Sequence, residues 1–233
     1  EHDIACRINA EAVAILADEA KQLNACLIHY STDYVFDGTK LNAYLETDET
    51  NPQSVYAKTK LQGEEAIKMS ECNHLIFRTS WVFSTRGANF AKTIIRLAKE
   101  QEELKIVNDQ FGVPTSAELI ADITALCLNQ IAQEKNSIPN ITGTYHLTPT
   151  GMTSWHGFAQ FVITEAYQAG ETFRLTPEKV LPISTSEYPM TVKRPSNSQL
   201  DTQKLRDTFN LYLPPWQTHV KRFITEIYSA QII

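Results

Sequence analysis

Three side chains in the first quarter of the sequence could act together in acid–base chemistry. Thr32 follows the apolar run Ala25–Ser31, and Tyr56 and Lys60 lie at i and i+4, which puts them on one face of a helix. Because an ammonium favours the phenolate, we expect Lys60 to lower the pKa of Tyr56 from its ordinary value of about 10. Tyr56 could then protonate a developing alkoxide while Thr32 holds the carbonyl oxygen. This arrangement suits hydride transfer to a ketone.

A Tyr-x-x-x-Lys pair also occurs on surface helices that have no catalytic role. Here it is the only such pair among nine tyrosines, it begins a predicted helix, and a hydroxyl residue stands at the end of the preceding strand. Active sites of open α/β sheets lie at the carboxyl ends of strands. The three features together favour a catalytic role for Thr32, Tyr56 and Lys60.

The elements that must position these residues alternate between helix and strand. An apolar stripe of Ile8, Ala12, Ile15, Leu16 and Leu23 predicts a helix over residues 8–23. The pattern then predicts strands over 25–31, 74–80 and 104–107, and helices over 55–69, 89–100 and 116–133. Alternation of this kind predicts an α/β fold with a parallel sheet covered on both faces.

Beyond Asn136 the alternation of helices and strands is less regular. The pattern predicts a strand over 144–147, a helix over 154–169, a Pro/Ser/Thr-rich segment over 181–198, and helices over 201–209 and 215–230. We therefore expect a Rossmann-like doubly wound domain with the catalytic residues over 1–136, and a smaller mixed α/β substrate lobe over 137–233.

The glycine-rich turn that opens a dinucleotide-binding fold is missing from this sequence. Its eight glycines include no pair spaced G-x-G or G-x-x-G, and the chain starts with a predicted helix. We expect that two βα units, on the order of 60 to 70 residues, precede Glu1 in the parent protein.

The composition of the chain argues against two classes of partner, nucleic acids and membranes. A net charge of -6, a pI near 5.5 and no Lys/Arg cluster argue against nucleic acid. No apolar run approaches the ~20 residues of a membrane span, and the charged start Glu1-His2-Asp3 is unlike a signal peptide. We expect a cytoplasmic protein that has no membrane partner. Its four cysteines contain no C-x-x-C pair and are expected to be reduced.

Five sequence blocks together resemble the dTDP-4-dehydrorhamnose reductases, a family of extended short-chain dehydrogenases/reductases. They are Ser31–Gly38, the Tyr56/Lys60 pair, Arg78–Phe83, Asp109–Thr115 and Arg194–Leu200. The resemblance implies a Rossmann fold and the use of NADPH or NADH to reduce the 4-keto group of dTDP-6-deoxy-L-lyxo-4-hexulose. It also implies a dTDP-sugar substrate and a homodimer.

The same resemblance assigns roles to individual residues. It implies that Thr32, Tyr56 and Lys60 are catalytic, that Tyr56 and Lys60 also contact the cofactor, and that Lys60 binds the nicotinamide ribose. Thr79 and Ser80 match the segment that passes close to the nicotinamide.

Substrate contacts are expected at Thr32, Asp33, Trp81 and Arg194. Trp81 would face the sugar, although a core tryptophan after a strand explains it equally well. The Arg194 guanidinium could hold a diphosphate through two parallel hydrogen bonds. Asn9 resembles the asparagine that opens the helix before the catalytic strand in the family, yet it could equally be a helix cap or a solvated residue.

For four further residues, a structural role explains the sequence at least as well as a functional one. Gln110 and Pro114-Thr115 could shape the pocket or form a turn. Glu118 resembles a carboxylate that binds Mg²⁺ at the dimer interface in some members. A glutamate in the first turn of a helix more often complements the helix dipole, so we predict no metal site.

Other functions remain open on this fold. Related dehydratases follow the threonine with Asp-Glu, whereas Thr32 is followed by Asp33-Tyr34, so the second carboxylate needed for water elimination is missing. A sugar-nucleotide epimerase would use the same Tyr/Lys pair. A non-catalytic regulatory subunit, similar to the β-subunit of methionine adenosyltransferase, is the alternative from another class.

Overall fold

The computed structural model describes residues 2–133, 141–188 and 194–229. The helices are α1 (His2–Cys6), α2 (Ala12–Gln22), α3 (Val55–Ser70), α4 (Phe90–Glu100), α5 (Ala117–Gln133), α6 (Trp155–Gln168), α7 (Gln203–Phe209) and α8 (Trp216–Ser229), and a π-helical segment (Arg7–Glu11) joins α1 to α2. The strands are β1 (Cys26–Thr32), β2 (Asn73–Thr79), β3 (Val82–Phe83), β4 (Leu104–Val107), β5 (Phe111–Gly112), β6 (Thr115–Ser116), β7 (Gly143–His146), β8 (Thr153–Ser154) and β9 (Val180–Ile183). Among these helices, none is long and apolar enough to cross a membrane.

The chain forms two compact units that interleave along the sequence. The first contains Glu1–Thr79, Ile123–Leu147 and Val192–Tyr212, and the second contains Ser80–Asp122, Thr148–Thr191 and Leu213–Ile233. This partition differs from the single boundary near Asn136 that we expected, and that boundary lies outside the described residues.

The first unit is built on a parallel sheet in the order β1-β2-β7. β1 and β2 pair along their whole length, so that Thr32 at the end of β1 stands opposite Thr79 at the end of β2. β2 is buried along almost its whole length, as expected for a parallel strand covered on both faces. The predicted α/β class with a parallel sheet is confirmed, and the register places two hydroxyl residues side by side at its carboxyl edge.

A buried ion pair ties α3 to this sheet. Arg78 on β2 donates from Nε to Glu64 Oε1 over 3.0 Å and from Nη2 to Glu64 Oε2 over 2.7 Å, and both side chains are buried. The guanidinium also lies over the ring of Phe36, 5.1 Å from its centroid. Bidentate geometry compensates much of the cost of burying both charges.

The apolar stripe of the first helix is largely exposed. Ile8, Ile15 and Leu23 are 63%, 64% and 75% exposed, whereas the buried residues of α2 are Val13, Ala17 and Ala20. The first helical segment approaches α3 closely, because a Cβ on Gly63 would lie 2.2 Å from the carbonyl oxygen of Asn9. At that point glycine is the residue that fits between the two segments.

The second unit has its core between α4, α6 and α8. Its buried residues include Phe83, Ile94, Phe158, Val162 and Phe223. Short strand pairs surround this core: β3 with β6 and β4 with β9 are parallel, and β5 with β8 is antiparallel. The Pro/Ser/Thr-rich segment predicted over 181–198 contains most of β9, and its residues 189–193 are outside the described part of the chain.

Candidate active site

Thr32 ends β1 at the carboxyl edge of the sheet, as predicted. Its hydroxyl is buried, donates to Asp33 Oδ1 over 3.2 Å, and accepts the backbone N–H of Tyr34 over 3.2 Å. The second bond caps the short 3-10 turn Asp33–Val35, which turns the chain away from the sheet. The Thr32 side chain is therefore held rigidly where the strand ends.

Tyr56 lies in the first turn of α3, because the Ser54 hydroxyl caps this helix by accepting the N–H of Ala57 over 3.2 Å. The Thr32 side chain lies close enough to the Tyr56 phenol to influence its pKa, which brings the predicted Thr/Tyr pair together. The ring meets that of Tyr34 edge to face, with centroids 6.4 Å apart and planes at 83°. Nearly half of Tyr56 is exposed, so a ligand can reach it.

Lys60 occupies the next turn of α3, and its ammonium contacts β1. Nζ donates to the carbonyl oxygen of Tyr30 over 2.6 Å and lies 3.1 Å from Nε2 of His29. Burial lowers the pKa of Lys60, and the nearby Glu64 carboxylate partly opposes this.

The expectation that Lys60 lowers the pKa of Tyr56 is wrong for this arrangement. Burial of the phenol raises the pKa of Tyr56 above its ordinary value, the hydrogen bond from Thr32 opposes this in part, and the Asp33 carboxylate adds to the rise. The physical reason is that desolvation disfavours the phenolate, while the Lys60 ammonium is engaged by groups of β1. Tyr56 is accordingly held in its protonated form.

Asp33 is a buried carboxyl group beside the Thr32 hydroxyl. Burial raises its pKa to about 7, against the opposing hydrogen bonds of Ser198 and Thr32. Tyr34, the next residue, has its pKa raised to about 12 by burial and by the Asp33 charge, which the nearby Arg194 guanidinium opposes. Near neutral pH, Asp33 is therefore present in both protonation states.

Arg194 belongs to a segment that packs against the loop after β1. Gly38, at φ +77°, approaches so closely that a Cβ there would lie 2.3 Å from Cβ of Pro195. The Asn197 side chain donates to the carbonyl oxygen of Lys40 over 2.7 Å and fixes the segment. The exposed Arg194 side chain interacts electrostatically with the Tyr34 phenol. Two blocks far apart in the sequence thus meet beside Tyr56.

Thr79 is buried opposite Thr32, and its hydroxyl has no hydrogen-bond partner within the described ranges. A buried hydroxyl left without a partner is costly unless a ligand satisfies it. The Thr79 hydroxyl, the Tyr56 phenol and the Lys60 ammonium together offer the donors and acceptors that a nicotinamide riboside requires. These residues of the first unit fit the cofactor expected from the sequence.

Ser80 and Trp81 belong to the second unit. Ser80 donates to the carbonyl oxygen of Val113 over 3.0 Å. Trp81 adopts a left-handed backbone conformation, with φ 47°, and its ring is stacked on Trp155 at 3.7 Å between centroids and 13° between planes. Gly112 packs against the indole, and a Cβ there would lie 2.6 Å from it. Trp81 is therefore held in one fixed, strained orientation.

The remaining expected residues have structural contacts. Asn9 lies in the π-helical segment and donates to Thr59 Oγ1 over 3.1 Å, so it is neither a cap nor solvated. Gln110 is buried and donates to Thr185 Oγ1 over 3.1 Å.

Pro114 and Thr115 are buried beside or within β6, and the Thr115 hydroxyl donates to the carbonyl oxygen of Val113 over 3.2 Å. Glu118 lies in the first turn of α5. Within 2–133, 141–188 and 194–229, no three His, Cys, Asp or Glu side chains are grouped so that they could hold a metal ion.

Sequence reasoning missed three residues that contact the predicted set: His29, Tyr34 and Ser198. A signal existed for His29, since an imidazole inside an otherwise apolar buried strand is unusual. No sequence signal indicates Ser198, because its contact with Asp33 depends on the packing of two segments that are distant in the chain.

The whole chain is similar to known proteins of one family. Residues 1–229 match the family described as RmlD substrate binding domain. The dTDP-4-dehydrorhamnose reductase of Salmonella typhimurium is 47% identical over 233 residues, which is 100% of this chain and 76% of that protein. The Escherichia coli K12 enzyme of the same name is also 47% identical, with the same coverage of both chains.

A solved structure of dTDP-4-dehydrorhamnose reductase from Bacillus anthracis, in complex with NADP, superposes with a TM-score of 0.83. It is 34% identical, and the match covers 97% of this chain and 74% of that one. The chain thus belongs to the RmlD substrate binding domain family, together with the dTDP-4-dehydrorhamnose reductases.

Proposed function

We propose that the protein reduces the 4-keto group of a dTDP-6-deoxy-4-keto-hexose to give dTDP-L-rhamnose, using NADPH or NADH. The observation that carries the proposal is the proximity of the Thr32 hydroxyl and the Tyr56 phenol at the carboxyl edge of the sheet, with Lys60 one turn further along α3. The names of the relatives supply the substrate, and the pair supplies the chemistry that this substrate requires.

Three residues of the first unit would hold the nicotinamide end of the cofactor. The Lys60 ammonium and the Tyr56 phenol would bind the ribose hydroxyls, and the buried Thr79 hydroxyl would gain a partner in the carboxamide. Ser80, the next residue along the chain, completes the expected cofactor contacts. The bound cofactor supplies a hydride to the substrate carbonyl carbon.

Tyr56 then supplies the proton. Its pKa is raised, so the phenol is protonated when substrate binds, and this is the form that the reductive direction requires. As the carbonyl oxygen gains charge, the phenol donates its proton to it, and the Thr32 hydroxyl holds the same oxygen beside the phenol. Proton transfer and hydrogen bonding thus develop together in the transition state.

The substrate contacts follow from charge and shape. Arg194 is exposed on a segment fixed by Asn197, and its guanidinium suits the diphosphate of a nucleotide sugar. We also propose that Asp33 hydrogen-bonds sugar hydroxyls and that Trp81 packs against the sugar ring. The homodimer, the cytoplasmic location and the lack of nucleic-acid partners stay predictions, as does the lack of a metal site at Glu118.

Replacement of the Tyr56 hydroxyl tests the function. Wild-type protein should oxidise NADPH when dTDP-4-keto-6-deoxyhexose is added, and Tyr56→Phe should lower kcat by about a hundred- to ten-thousandfold. Binding of both ligands, followed by calorimetry, should stay near wild type because the ring remains.

Tyr212→Phe is the matched control, since Tyr212 is a surface tyrosine with 83% exposure and should keep full activity. A Tyr56→Phe variant with near-normal kcat would refute the catalytic assignment. A wild type that binds both ligands and turns over neither would favour a regulatory subunit.

A further inference from the structure

We infer that His29 is a positioning residue that holds the Lys60 ammonium against the middle of β1 through its Nε2 lone pair. This role rests on the proposed reductase function, in which Lys60 serves the cofactor and Tyr56. Packing alone does not require an imidazole in the middle of β1, and the proposal gives this residue a specific role.

The first support is geometric. Lys60 Nζ lies 3.1 Å from His29 Nε2 and donates to the carbonyl oxygen of Tyr30 over 2.6 Å. The two acceptors come from consecutive residues of one strand, whose backbone is fixed by its pairing with β2. An ammonium has three N–H donors. With two of them directed at β1, the orientation of the third is set, and it remains for Tyr56 or the ribose.

The second support is the protonation state of the ring. Burial, followed by the Lys60 charge, lowers the pKa of His29 to about 4, with Glu64 opposing. The ring is therefore neutral at physiological pH, and Nε2 can face an ammonium only as an acceptor, which puts the ring proton on Nδ1.

The charged groups facing this pair are on α3 and β2. Glu64 lies one turn beyond Lys60, and its carboxylate is shared by Arg78 at 2.7 Å and Lys68 at 3.5 Å. Since these cations engage Glu64, it does not replace His29 as the direct partner of Lys60. The neutral imidazole can bind the ammonium without neutralising it, whereas a carboxylate in its place would neutralise it.

Two substitutions of His29 distinguish the effect of its acceptor atom from the effect of its ring. His29→Phe keeps the ring and removes the acceptor, and His29→Gln removes the ring and keeps an acceptor oxygen near the Nε2 position. Loss of a hydrogen bond to a charged group should lower the Lys60 pKa by roughly one unit in the Phe variant, and the Gln variant should stay near wild type.

The primary measurement is independent of turnover. The Lys60 ammonium is titrated by NMR in protein labelled with ¹³C,¹⁵N-lysine, and its signal is assigned by its loss in Lys60→Met. NADPH affinity by fluorescence should weaken roughly three- to tenfold in the Phe variant, and the basic limb of the kcat profile should move down by roughly one unit. The KM for the sugar nucleotide should not change.

Equal titration curves in the wild type and the Phe variant would overturn the proposal, as would equal losses in the Phe and Gln variants. If the Phe variant does not fold, ¹⁵N-histidine spectra of the wild type decide, because a proton on Nε2 contradicts the proposal and a proton on Nδ1 supports it. If the Lys60 pKa responds as expected while neither the wild type nor any variant turns over substrate, the positioning role holds and the proposed function fails.

Discussion

The Asp33 carboxyl should make the stability of this protein depend on pH, and Asp33→Asn should remove the part of that dependence that this carboxyl contributes. The folded pKa of the carboxyl is about 7 because the group is buried, whereas an unfolded aspartate has a pKa of about 3.9. Below pH 4 the carboxyl is protonated in both states and has no effect. Between about pH 4 and 7 the unfolded chain releases a proton that the folded chain keeps, so rising pH favours unfolding.

The magnitude follows from the difference between the two pKa values. A shift of about three units corresponds to about 4 kcal/mol. The wild type should therefore lose about 4 kcal/mol of unfolding free energy relative to Asp33→Asn as the pH rises from about 4 to 7, and the difference should then level off. Tyr34 and Tyr56, which interact electrostatically with Asp33, have pKa values raised above 10 and do not titrate in this window.

Urea unfolding of both proteins at several pH values between 4.5 and 8 measures this difference. Comparing slopes with pH cancels the constant effect of exchanging a carboxyl for an amide, and groups that titrate in both proteins cancel as well. Ser198→Ala is a second check, because loss of the hydroxyl that lowers the pKa of Asp33 should raise that pKa further and move the window to higher pH. A difference that does not vary with pH would refute the reasoning.

Three other substitutions have defined outcomes. Glu64→Gln breaks the buried pair with Arg78 and should cost about 3–5 kcal/mol of unfolding free energy in denaturant titrations, and a loss below about 1 kcal/mol would contradict this. Gly63→Ala forces a Cβ toward the Asn9 carbonyl oxygen and should lower the melting temperature, with a loss of about 1–3 kcal/mol despite the better helix propensity of alanine, whereas a stabilised variant would refute the close approach. Arg194→Ala should weaken binding of the sugar nucleotide roughly ten- to a hundredfold in calorimetric titrations while the affinity for NADPH stays the same, and unchanged sugar-nucleotide affinity would remove Arg194 from the site.

The proposed catalytic set was accessible from sequence because its members lie at recognisable positions of local elements. Tyr56 and Lys60 share a helix face by their spacing, and Thr32 stands at the end of an apolar run that is recognisable as a strand, although most of β1 is only partly buried. Most helix and strand positions were predicted for the same reason, since apolar periodicity reports which face of a segment is buried. The resemblance of five blocks then indicated the family.

Burial and electrostatics were not accessible in this way. The spacing of Ile8, Ile15 and Leu23 indicates one helix face, but only the structure shows that this face is exposed and that Asn9 lies against Gly63. The pKa of Tyr56 was expected to fall because of the neighbouring lysine, yet burial raises it. Both depend on distances between elements, about which a one-dimensional pattern contains no information.

The sequence by itself therefore determined which side chains can do chemistry, the order of the elements and the family to which the chain belongs. Only the tertiary structure decided what those side chains contact: Lys60 with His29, Asp33 with Ser198, and the Arg194 segment with Gly38. The physical reason is that residue type and spacing set local conformation, whereas desolvation and hydrogen bonding depend on segments brought together from distant parts of the chain.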